Sequence, residues 1–461
     1  MKNNSSMIIK TAFITSLSYI VVLLDVTIIN VAIPTFTRVF NTDLSVLQWI
    51  PDAYVIVFSG LLLAAGGLSD RFGSRSINIC GMVIFMFASL LCALSNSVSI
   101  LILGRILQGV GAALILPSSL AIISSASAGN RNQQTSAIGW WSAAGGIISA
   151  AGPLMGGFIL ELYSWRLLFL INIPVCLTGI LLTYKYIQPH FSEKRIKIDV
   201  KGICLFIILS FSLIFLLTNP LSSSYFSIIN LTSLALLILS ALSLNRHIGT
   251  SNNAFITLEM LRIPIFPVGL YIGTIMNLSF YGTIFLITVY FQTYRGFSPI
   301  MTGMALLTFT IIALANALSV HISRKIGPRM TITAGLLFSS ITYFILCLMA
   351  YHEASYISFV CILFLMPVGG GIALPTLLSS FIHAVPANKT ATASAAINAM
   401  RQFGSAIGIA VLGFLVSGSL TTINIGACAG FFISGLVMLT GALLAYIKFH
   451  EINSKGSINK N

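Results

Sequence analysis

The chain has 461 residues, of which 57% are hydrophobic and 7% are charged, and its mean hydropathy is +0.99. A soluble domain carries about 25% charged residues, so this composition excludes a soluble globule and indicates a polytopic membrane protein. The formal net charge is +14, but the basic residues are dispersed over many loops, so no nucleic-acid partner is predicted.

Apolar segments of about 20 residues, the length that crosses a bilayer, recur along the whole chain. Fourteen are predicted, at residues 11–34, 49–69, 77–96, 100–127, 135–161, 166–187, 199–218, 226–244, 266–292, 299–322, 330–351, 355–382, 391–418 and 426–448. If the N-terminus is cytoplasmic, 19 of the 24 Lys and Arg residues fall on the cytoplasmic side, where basic residues accumulate. Both termini are therefore predicted to be cytoplasmic.

The spans form two blocks of six around a plainer pair. We predict a bundle at 1–190, two inserted helices with linkers at 191–250, and a second bundle at 251–461. The loop at 324–329 mirrors the loop at 70–75, which is typical of transporters built from repeated bundles. The seven cysteines all lie in apolar spans without a C-x-x-C pattern, so we expect them to pack between helices, and we predict no metal site.

The first span contains Asp25 in an otherwise apolar run. A carboxylate in a bilayer costs about 2.5–3.5 kcal/mol, so a functional role is predicted for it. Arg105 in span four also needs a counter-ion or a water-filled cavity. Counted along their helices, both residues lie in the outer half of the membrane, and we predict that they share one cavity. The alternative is that Arg105 extends to the outer interface.

The loop between spans two and three reads Gly66-Gly67-Leu68-Ser69-Asp70-Arg71-Phe72-Gly73-Ser74-Arg75. Its glycines allow a tight turn, and its acid and arginines can form a charge relay that locks the cytoplasmic face in one state. An ordinary charged turn is the alternative. This spacing closely resembles the signature loop of the major facilitator superfamily, which implies the fold of that superfamily.

Other segments extend the resemblance over nearly the whole chain. The run around Arg105 resembles the superfamily's second motif, in which the arginine is implicated in proton transfer. Gly152-Pro153-Leu154-Met155-Gly156-Gly157 resembles the motif of exporters that work by antiport, although close helix packing alone is an alternative. The segments at 24–34, 48–54, 165–174 and 398–408 resemble the fourteen-helix drug:proton antiporters.

The resemblance implies a proton-coupled multidrug efflux antiporter in the bacterial cytoplasmic membrane, which exports lipophilic, cationic compounds by alternating access. It implies no cofactor, with the proton gradient as the energy source and a monomer in the lipid bilayer as the working form. The residues expected to couple protons are Asp25, Arg105 and Asp52. Those expected to bind substrate are Asp52, Asn30, Trp141, Tyr281, Tyr290, Gln292, Asn398 and Arg401. Those expected to control conformation are Gly67, Asp70, Arg71, Gly73, Arg75, Gly152, Pro153, Gly156 and Gly157.

Asp52 has two interpretations. An aspartate at this position resembles the subset of the family that exports cationic antiseptics, whereas its place one turn into span two also suits a hydrated helix cap. The predicted membrane core of the second half contains no Asp or Glu, so proton handling is expected to rest on the first half.

Functions other than proton-coupled efflux have less support from the sequence. A dedicated exporter of one endogenous metabolite or siderophore keeps the same fold and is the main alternative. An ATP-driven pump is disfavoured because no G-x-x-x-x-G-K-[ST] phosphate loop occurs. An enzyme is disfavoured because no nucleophile and base are visible together, and a channel is expected to show no competition between proton and substrate.

Overall fold

The computed structural model describes residues 2–127, 131–189, 198–218, 228–251, 254–386, 389–418 and 420–449, and these residues form helices joined by short connections. The helices are α1 (Lys2–Ile28), α2 (Ile33–Phe40), α3 (Leu44–Leu47), α4 (Trp49–Phe72), α5 (Ser74–Ala93), α6 (Val98–Ala126), α7 (Arg131–Leu162), α8 (Leu167–Leu170), α9 (Asn172–Tyr186), α10 (Val200–Thr218), α11 (Ile228–Thr250), α12 (Leu258–Leu261), α13 (Ile265–Val289), α14 (Pro299–Leu307), α15 (Ile311–Tyr351), α16 (Tyr356–His383), α17 (Thr390–Leu415) and α18 (Leu420–Lys448). Long apolar helices suit a bilayer because they satisfy their backbone hydrogen bonds internally.

Thirteen helical segments among the described residues are long and apolar enough to cross a membrane. One of them, Pro299–Tyr351, is 53 residues long and contains the two predicted spans at 299–322 and 330–351. Gly327 breaks this segment with a φ of 82°, a backbone conformation that glycine adopts without steric cost. Each of the fourteen predicted spans therefore has a counterpart, and the chain is a multi-pass membrane protein.

The helices group into two compact units. Unit 1 comprises Met1–Leu244 with Gly296–Leu307, and unit 2 comprises Asn245–Arg295 with Thr308–Asn461. Helix α10, the first of the predicted inserted pair, packs on α4 and belongs to unit 1, whereas the boundary between the units falls within α11. The division into bundles at 1–190 and 251–461 around an inserted pair at 191–250 stays a prediction.

Glycines set the close helix spacing in unit 1. Where α5 packs on α6, a Cβ atom added to Gly81 would lie 2.9 Å from the carbonyl oxygen of Gly111. Where α7 packs on α1, a Cβ atom added to Gly156 would lie 2.9 Å from Cγ1 of Ile28. Helix association in a membrane depends on such close packing of small residues. The contact between α7 and α1 holds in place the segment of α1 that carries Asp25.

Unit 2 is built with the same device. Helix α15 packs on α16 with Gly335 against Gly369, where an added Cβ on Gly335 would lie 2.5 Å from the Gly369 carbonyl oxygen. Helix α17 packs on α13 where Gly408 faces Gly282, and the Gly408 backbone leaves no room for a side chain at position 282. Both units thus bring pairs of helices together at glycines.

A disulfide between Cys347 and Cys428 joins α15 to α18 in unit 2. The expectation that all seven cysteines serve only as packing residues is wrong for this pair. The two helices approach to a Cα–Cα distance of 4.1 Å at these positions, so the two sulfurs meet. The sequence gives no signal for the pairing because the two cysteines are separated by 81 residues.

Candidate functional site

The structure brings Asp25 on α1 and Arg105 on α6 into direct contact as a buried ion pair. Both side chains are 1% exposed or less. Arg105 therefore does not extend to an outer interface, as the alternative interpretation of the sequence held. Pairing offsets the cost of burying either charge alone, and removing one partner of such a pair is strongly destabilising.

Arg105 is fixed by more than its carboxylate partner. Its Nε donates to the backbone carbonyl of Ile50 at 3.0 Å, and its guanidinium carbon lies 4.4 Å from the ring centroid of Tyr54. A guanidinium held over an aromatic face gains cation–π attraction. The carbonyl and the ring both belong to α4, so the cation has anchors that do not depend on the charge of Asp25.

Neutral polar side chains complete the surroundings of the ion pair. Gln108 accepts from Nη1 of Arg105 through Oε1 at 2.7 Å and donates from Nε2 to Oδ1 of Asp25 at 3.0 Å. Asn172, at the start of α9, donates from Nδ2 to the same Asp25 oxygen at 3.0 Å. The Ser89 hydroxyl on α5 accepts from Nε2 of Gln108 at 2.8 Å and from Nδ2 of Asn172 at 3.3 Å. Four helices, α1, α5, α6 and α9, therefore contribute to one buried network.

No role for Gln108, Asn172 or Ser89 was assigned from the sequence. Gln108 lies three residues after Arg105, a spacing that places both on one helix face, so its involvement had a local signal. Asn172 and Ser89 had none, because their contact with Asp25 depends on how α5 and α9 pack against α1.

The Gly-Pro segment of α7 lies against α1 close to this network. Gly152 leaves room for the Thr27 hydroxyl, two residues after Asp25. On another side of α7, the Pro153 carbonyl meets Gly303 of α14, where an added Cβ would lie 2.6 Å from that oxygen. Gly157 likewise abuts the Pro299 backbone. The segment is thus a two-sided packing surface within unit 1.

Asp52 lies in the first turn of α4 and is fully buried. Neither of its carboxyl oxygens has a hydrogen-bond partner among the described residues. Gln48, one turn earlier, is equally buried, and its side-chain amide is unpartnered within the same part of the chain. The interpretation of Asp52 as a hydrated helix cap is therefore wrong for this conformation, because the packing of α4 removes the carboxyl from solvent.

Four of the predicted substrate residues lie in unit 2 and are partly exposed. Nη1 of Arg401 donates to Oδ1 of Asn398 at 3.3 Å, which confirms that the two residues share a face of α17. Nε of Arg401 donates to Oδ1 of Asn277 on α13, also at 3.3 Å. Tyr281 lies one helical turn after Asn277 on α13, and Gln292 lies in the π-helical turn at Tyr290–Tyr294. A polar cluster centred on Arg401 therefore joins α13 to α17.

Three other predicted substrate residues are packed into the interior. Trp141 stacks on Tyr19 with ring centroids 3.7 Å apart and belongs to an apolar cluster in unit 1. Asn30 is 1% exposed and donates to the backbone carbonyl of Val26 at 2.8 Å. Tyr290 is fully buried and stacks on Tyr294. These contacts are structural in this conformation.

The signature loop adopts its tight turn at Gly73, which has a φ of 86°. Arg75 donates to the Tyr184 carbonyl at 2.6 Å and lies over the ring of the same tyrosine, while Arg71 lies over Phe72. No ion pair of Asp70 occurs among the described residues. The charge relay of this loop stays a prediction. Gly67 lies buried on α4.

The described residues contain no group of three or more His, Cys, Asp or Glu side chains that is able to hold a metal ion. At the Asp25 network, a single carboxylate lies beside a cation with its own anchors, and amide groups surround both.

Comparisons with known proteins identify relatives over most of the chain. Residues 15–409 match the family model of the Major Facilitator Superfamily. The chain is 32% identical to a methylenomycin A resistance protein of Streptomyces coelicolor, over 93% of this chain and 90% of the relative. It is 30% identical to the multidrug resistance protein Stp of Mycobacterium tuberculosis, over 88% of this chain and 75% of the relative. It is 30% identical to the riboflavin transporter RibZ of Clostridioides difficile, over 86% of each chain.

The fold also matches solved transporters. The crystal structure of a D-xylose-proton symporter superposes with a TM-score of 0.69, covering 95% of this chain and 97% of the symporter at 15% identity. The resemblance that the loop at 66–75 suggests is thereby confirmed, and the chain is a member of the major facilitator superfamily of transporters.

Proposed function

We propose that this protein is a proton-coupled multidrug efflux antiporter of the bacterial cytoplasmic membrane, which exports lipophilic, cationic compounds by alternating access. The observation that carries the proposal is the buried Asp25–Arg105 pair with its amide partners. The family and the names of the resistance relatives support efflux. The proton gradient supplies the energy without a cofactor, and the working unit is a monomer.

The ion pair offers a physical basis for coupling. With Asp25 deprotonated, the pair has no net charge, so the interior tolerates a lipophilic cation. When a proton from outside neutralises Asp25, Arg105 keeps its place on Ile50 and Tyr54 and leaves one uncompensated positive charge. That charge disfavours a cationic substrate, so the proton and the substrate compete for the same state of the carrier.

Asp52 provides a second proton site in this proposal. A buried carboxylate without hydrogen-bond donors is costly to keep charged, and both carboxyl oxygens of Asp52 are in such surroundings among the described residues. One elementary charge moved across 100 mV is worth about 2.3 kcal/mol. Exchange of one proton for one monocation uses the pH gradient alone, whereas a second proton adds the membrane potential.

For substrate contacts, the partly exposed cluster of unit 2 has better support than the packed residues. Tyr281 offers an aromatic face for a lipophilic cation, and Asn398 and Arg401 offer polar groups in the same unit. Gln292, about three helical turns beyond Tyr281, stays a predicted contact outside this cluster. Asn30, Trp141 and Tyr290 contribute to binding only if another conformation exposes them. The glycine and proline residues of the loop at 67–75 and of α7 serve the conformational change.

The second candidate is a dedicated exporter of one metabolite. Its specific support is the riboflavin transporter among the relatives, because it shows that this level of identity extends to a protein named for a single compound. A dedicated exporter is expected to have one high-affinity substrate and little effect on resistance to dyes.

Proton-driven uptake of ethidium into inverted membrane vesicles tests the proposal. Wild type is expected to accumulate the dye when the vesicle interior is acidified, and Asp25→Asn is expected to abolish this uptake. Because this change leaves the buried Arg105 without its partner and lowers stability, uptake is compared per amount of folded protein. Asp43→Asn is the matched control, because Asp43 is an exposed aspartate between α2 and α3 without a cap hydrogen bond. Full activity of Asp25→Asn would contradict the coupling scheme, and absence of uptake by wild type would favour the dedicated exporter.

A further inference from the structure

In every hydrogen bond that Asp25 makes in the described structure, the aspartate is the acceptor. Arg105 contacts Oδ2, and the amide nitrogens of Gln108 and Asn172 both contact Oδ1. These surroundings suit a carboxylate, which only accepts. A protonated Asp25 has an O–H group that must itself donate, so one neighbour has to turn before the proton is well accommodated.

Of the three neighbours, Asn172 alone has a side-chain oxygen that is not already engaged among the described residues. Arg105 has no acceptor atom to offer. The acceptor of Gln108, Oε1, is engaged by Nη1 of Arg105 at 2.7 Å, and turning this amide over would place its NH₂ group against the guanidinium. Oδ1 of Asn172, in contrast, is buried and has no hydrogen-bond partner among the described residues.

We propose that Asn172 is the positioning residue that follows the protonation state of Asp25. Its Nδ2 donates to the charged carboxylate, as observed, and after the amide turns over, its Oδ1 accepts from the protonated carboxyl group. The proposal deepens the proposed function, since it rests on Asp25 as the proton carrier.

Ser89 supports the observed orientation of the amide. Its hydroxyl accepts from Nδ2 of Asn172 at 3.3 Å while it donates to the carbonyl of Phe85 at 2.8 Å, so in the other orientation it donates to Oδ1 only by giving up that bond. The observed orientation is therefore favoured while Asp25 is charged, and the proton on Asp25 is what favours the other.

The remaining titratable groups near Asp25 do not replace this role. The thiols of Cys92 and Cys176 interact with it electrostatically, and Tyr54 lies on the far partner, Arg105. The hydrogen bonds of Asp25 itself are confined to Arg105, Gln108 and Asn172 in the described part of the chain.

Two substitutions of Asn172 are expected to affect the pH dependence of transport differently. Asn172→Leu removes one hydrogen bond from each form of Asp25, the donor Nδ2 from the charged form and the acceptor Oδ1 from the protonated form. Half-maximal transport is therefore expected to move by less than about half a pH unit, whereas loss of a donor that served the charged form alone would raise it by about one unit or more. Asn172→Asp keeps an acceptor and shares a proton between two carboxyl groups, so the profile is expected to move to higher pH.

An infrared titration gives a readout that does not require transport. The carboxylic-acid C=O band of purified protein is followed against pH, and the difference from Asp25→Asn isolates the Asp25 signal. A shift of less than about half a pH unit is expected for Asn172→Leu, and a rise is expected for Asn172→Asp. The control is Asn78→Leu, because Asn78 is also a buried asparagine with an unpartnered Oδ1, but it donates to Ser18 and Ser118. No shift is expected for it.

The outcomes separate this proposal from the proposed function. A small shift for Asn172→Leu beside a rise for Asn172→Asp in the infrared titration supports the role of Asn172, even if wild type shows no proton-driven transport and the antiporter proposal fails. A rise of about one unit or more in Asn172→Leu would overturn it, because Asn172 would then serve the charged form alone. If Asn172→Leu does not fold, Asn172→Ala removes the same two hydrogen bonds and decides in its place.

Discussion

Units 1 and 2 share their packing but differ in the charges of their interiors. Gly81 faces Gly111 in unit 1 as Gly335 faces Gly369 in unit 2. Gly73 turns the chain after α4 with a φ of 86°, and Gly327 makes the corresponding turn within α15 with a φ of 82°. The membrane imposes the same demand on both units, which is close approach of helices at small residues.

The polar groups buried inside the two units differ. Unit 1 contains a carboxylate and a guanidinium in one buried network, whereas the membrane spans of unit 2 contain no Asp or Glu. There Arg401 donates to the amide oxygens of Asn277 and Asn398. A repeated scaffold therefore leaves the placement of acidic groups free, and this chain concentrates those of its membrane spans in unit 1.

The strongest test of this difference is to remove the cation of unit 1. Arg105→Leu leaves Asp25 as an uncompensated buried charge, at a cost of about 3–5 kcal/mol. We expect loss of proton-driven transport and a much lower melting temperature of the purified protein in detergent. The double variant Asp25→Asn/Arg105→Gln is expected to regain stability without regaining transport. Normal transport by Arg105→Leu would show that the pair is not required for coupling.

The shared packing predicts a similar response of both units to a small added side chain. Gly111→Ala and Gly335→Ala each place a methyl group within 3 Å of a carbonyl oxygen on the facing helix, and overpacking of this kind costs about 1–3 kcal/mol. Thermal unfolding in detergent measures the loss. Gly146→Ala is the control, since no atom lies within 4 Å of its added Cβ. A loss confined to one variant would mean that only one unit depends on this contact.

Removing the cation of unit 2 is expected to have a smaller effect than removing that of unit 1. In Arg401→Gln the hydrogen bonds lost among the described residues are to neutral amide oxygens, so no buried carboxylate loses its counter-ion. We expect the apparent KM for ethidium to change by about tenfold or less, while the dependence of uptake on the proton gradient remains. Loss of that dependence would contradict the assignment of proton handling to unit 1.

The sequence predicted the fold and the charged centre because both rest on strong, local signals. Asp25 and Arg105 stand out in apolar spans, where a charge is costly, and the loop at 66–75 has a specific spacing. The partners of Asp25 were not predictable in this way. Ser89 also donates to the carbonyl of Phe85, one turn earlier in its own helix. Serine side chains commonly make such a bond within their own helix, so a serine in a span does not by itself predict a partner on another helix.

Aromatic residues were the least predictable part of the site. Trp141 has the size and polarity expected of a residue that lines a binding cavity, but it stacks on Tyr19 inside unit 1. Position along a helix does not reveal which neighbouring helix covers an aromatic side chain, because an aromatic ring packs equally well in a core. The predicted substrate contacts therefore depend on tertiary packing more than the ionised groups do.

The smallest expected effect concerns an arginine–tyrosine contact that occurs once in each unit. Arg75 donates to the Tyr184 carbonyl at 2.6 Å, and Arg329 donates to the Tyr446 carbonyl at 2.7 Å, each over the ring of the same tyrosine. Arg75→Gln and Arg329→Gln are each expected to cost less than about 1 kcal/mol of stability, as measured by thermal unfolding.

The rate of transport is expected to respond differently to changes at the two arginines, because only Arg75 lies in the loop that carries Asp70. We expect Arg75→Gln to slow ethidium uptake and Arg329→Gln to leave the rate close to that of wild type. Arg75→Lys keeps the charge and loses the planar stacking, so it shows which of the two matters for the rate. Equal slowing by Arg75→Gln and Arg329→Gln would instead assign the effect to the shared arginine–tyrosine contact, since that contact is what the two loops have in common.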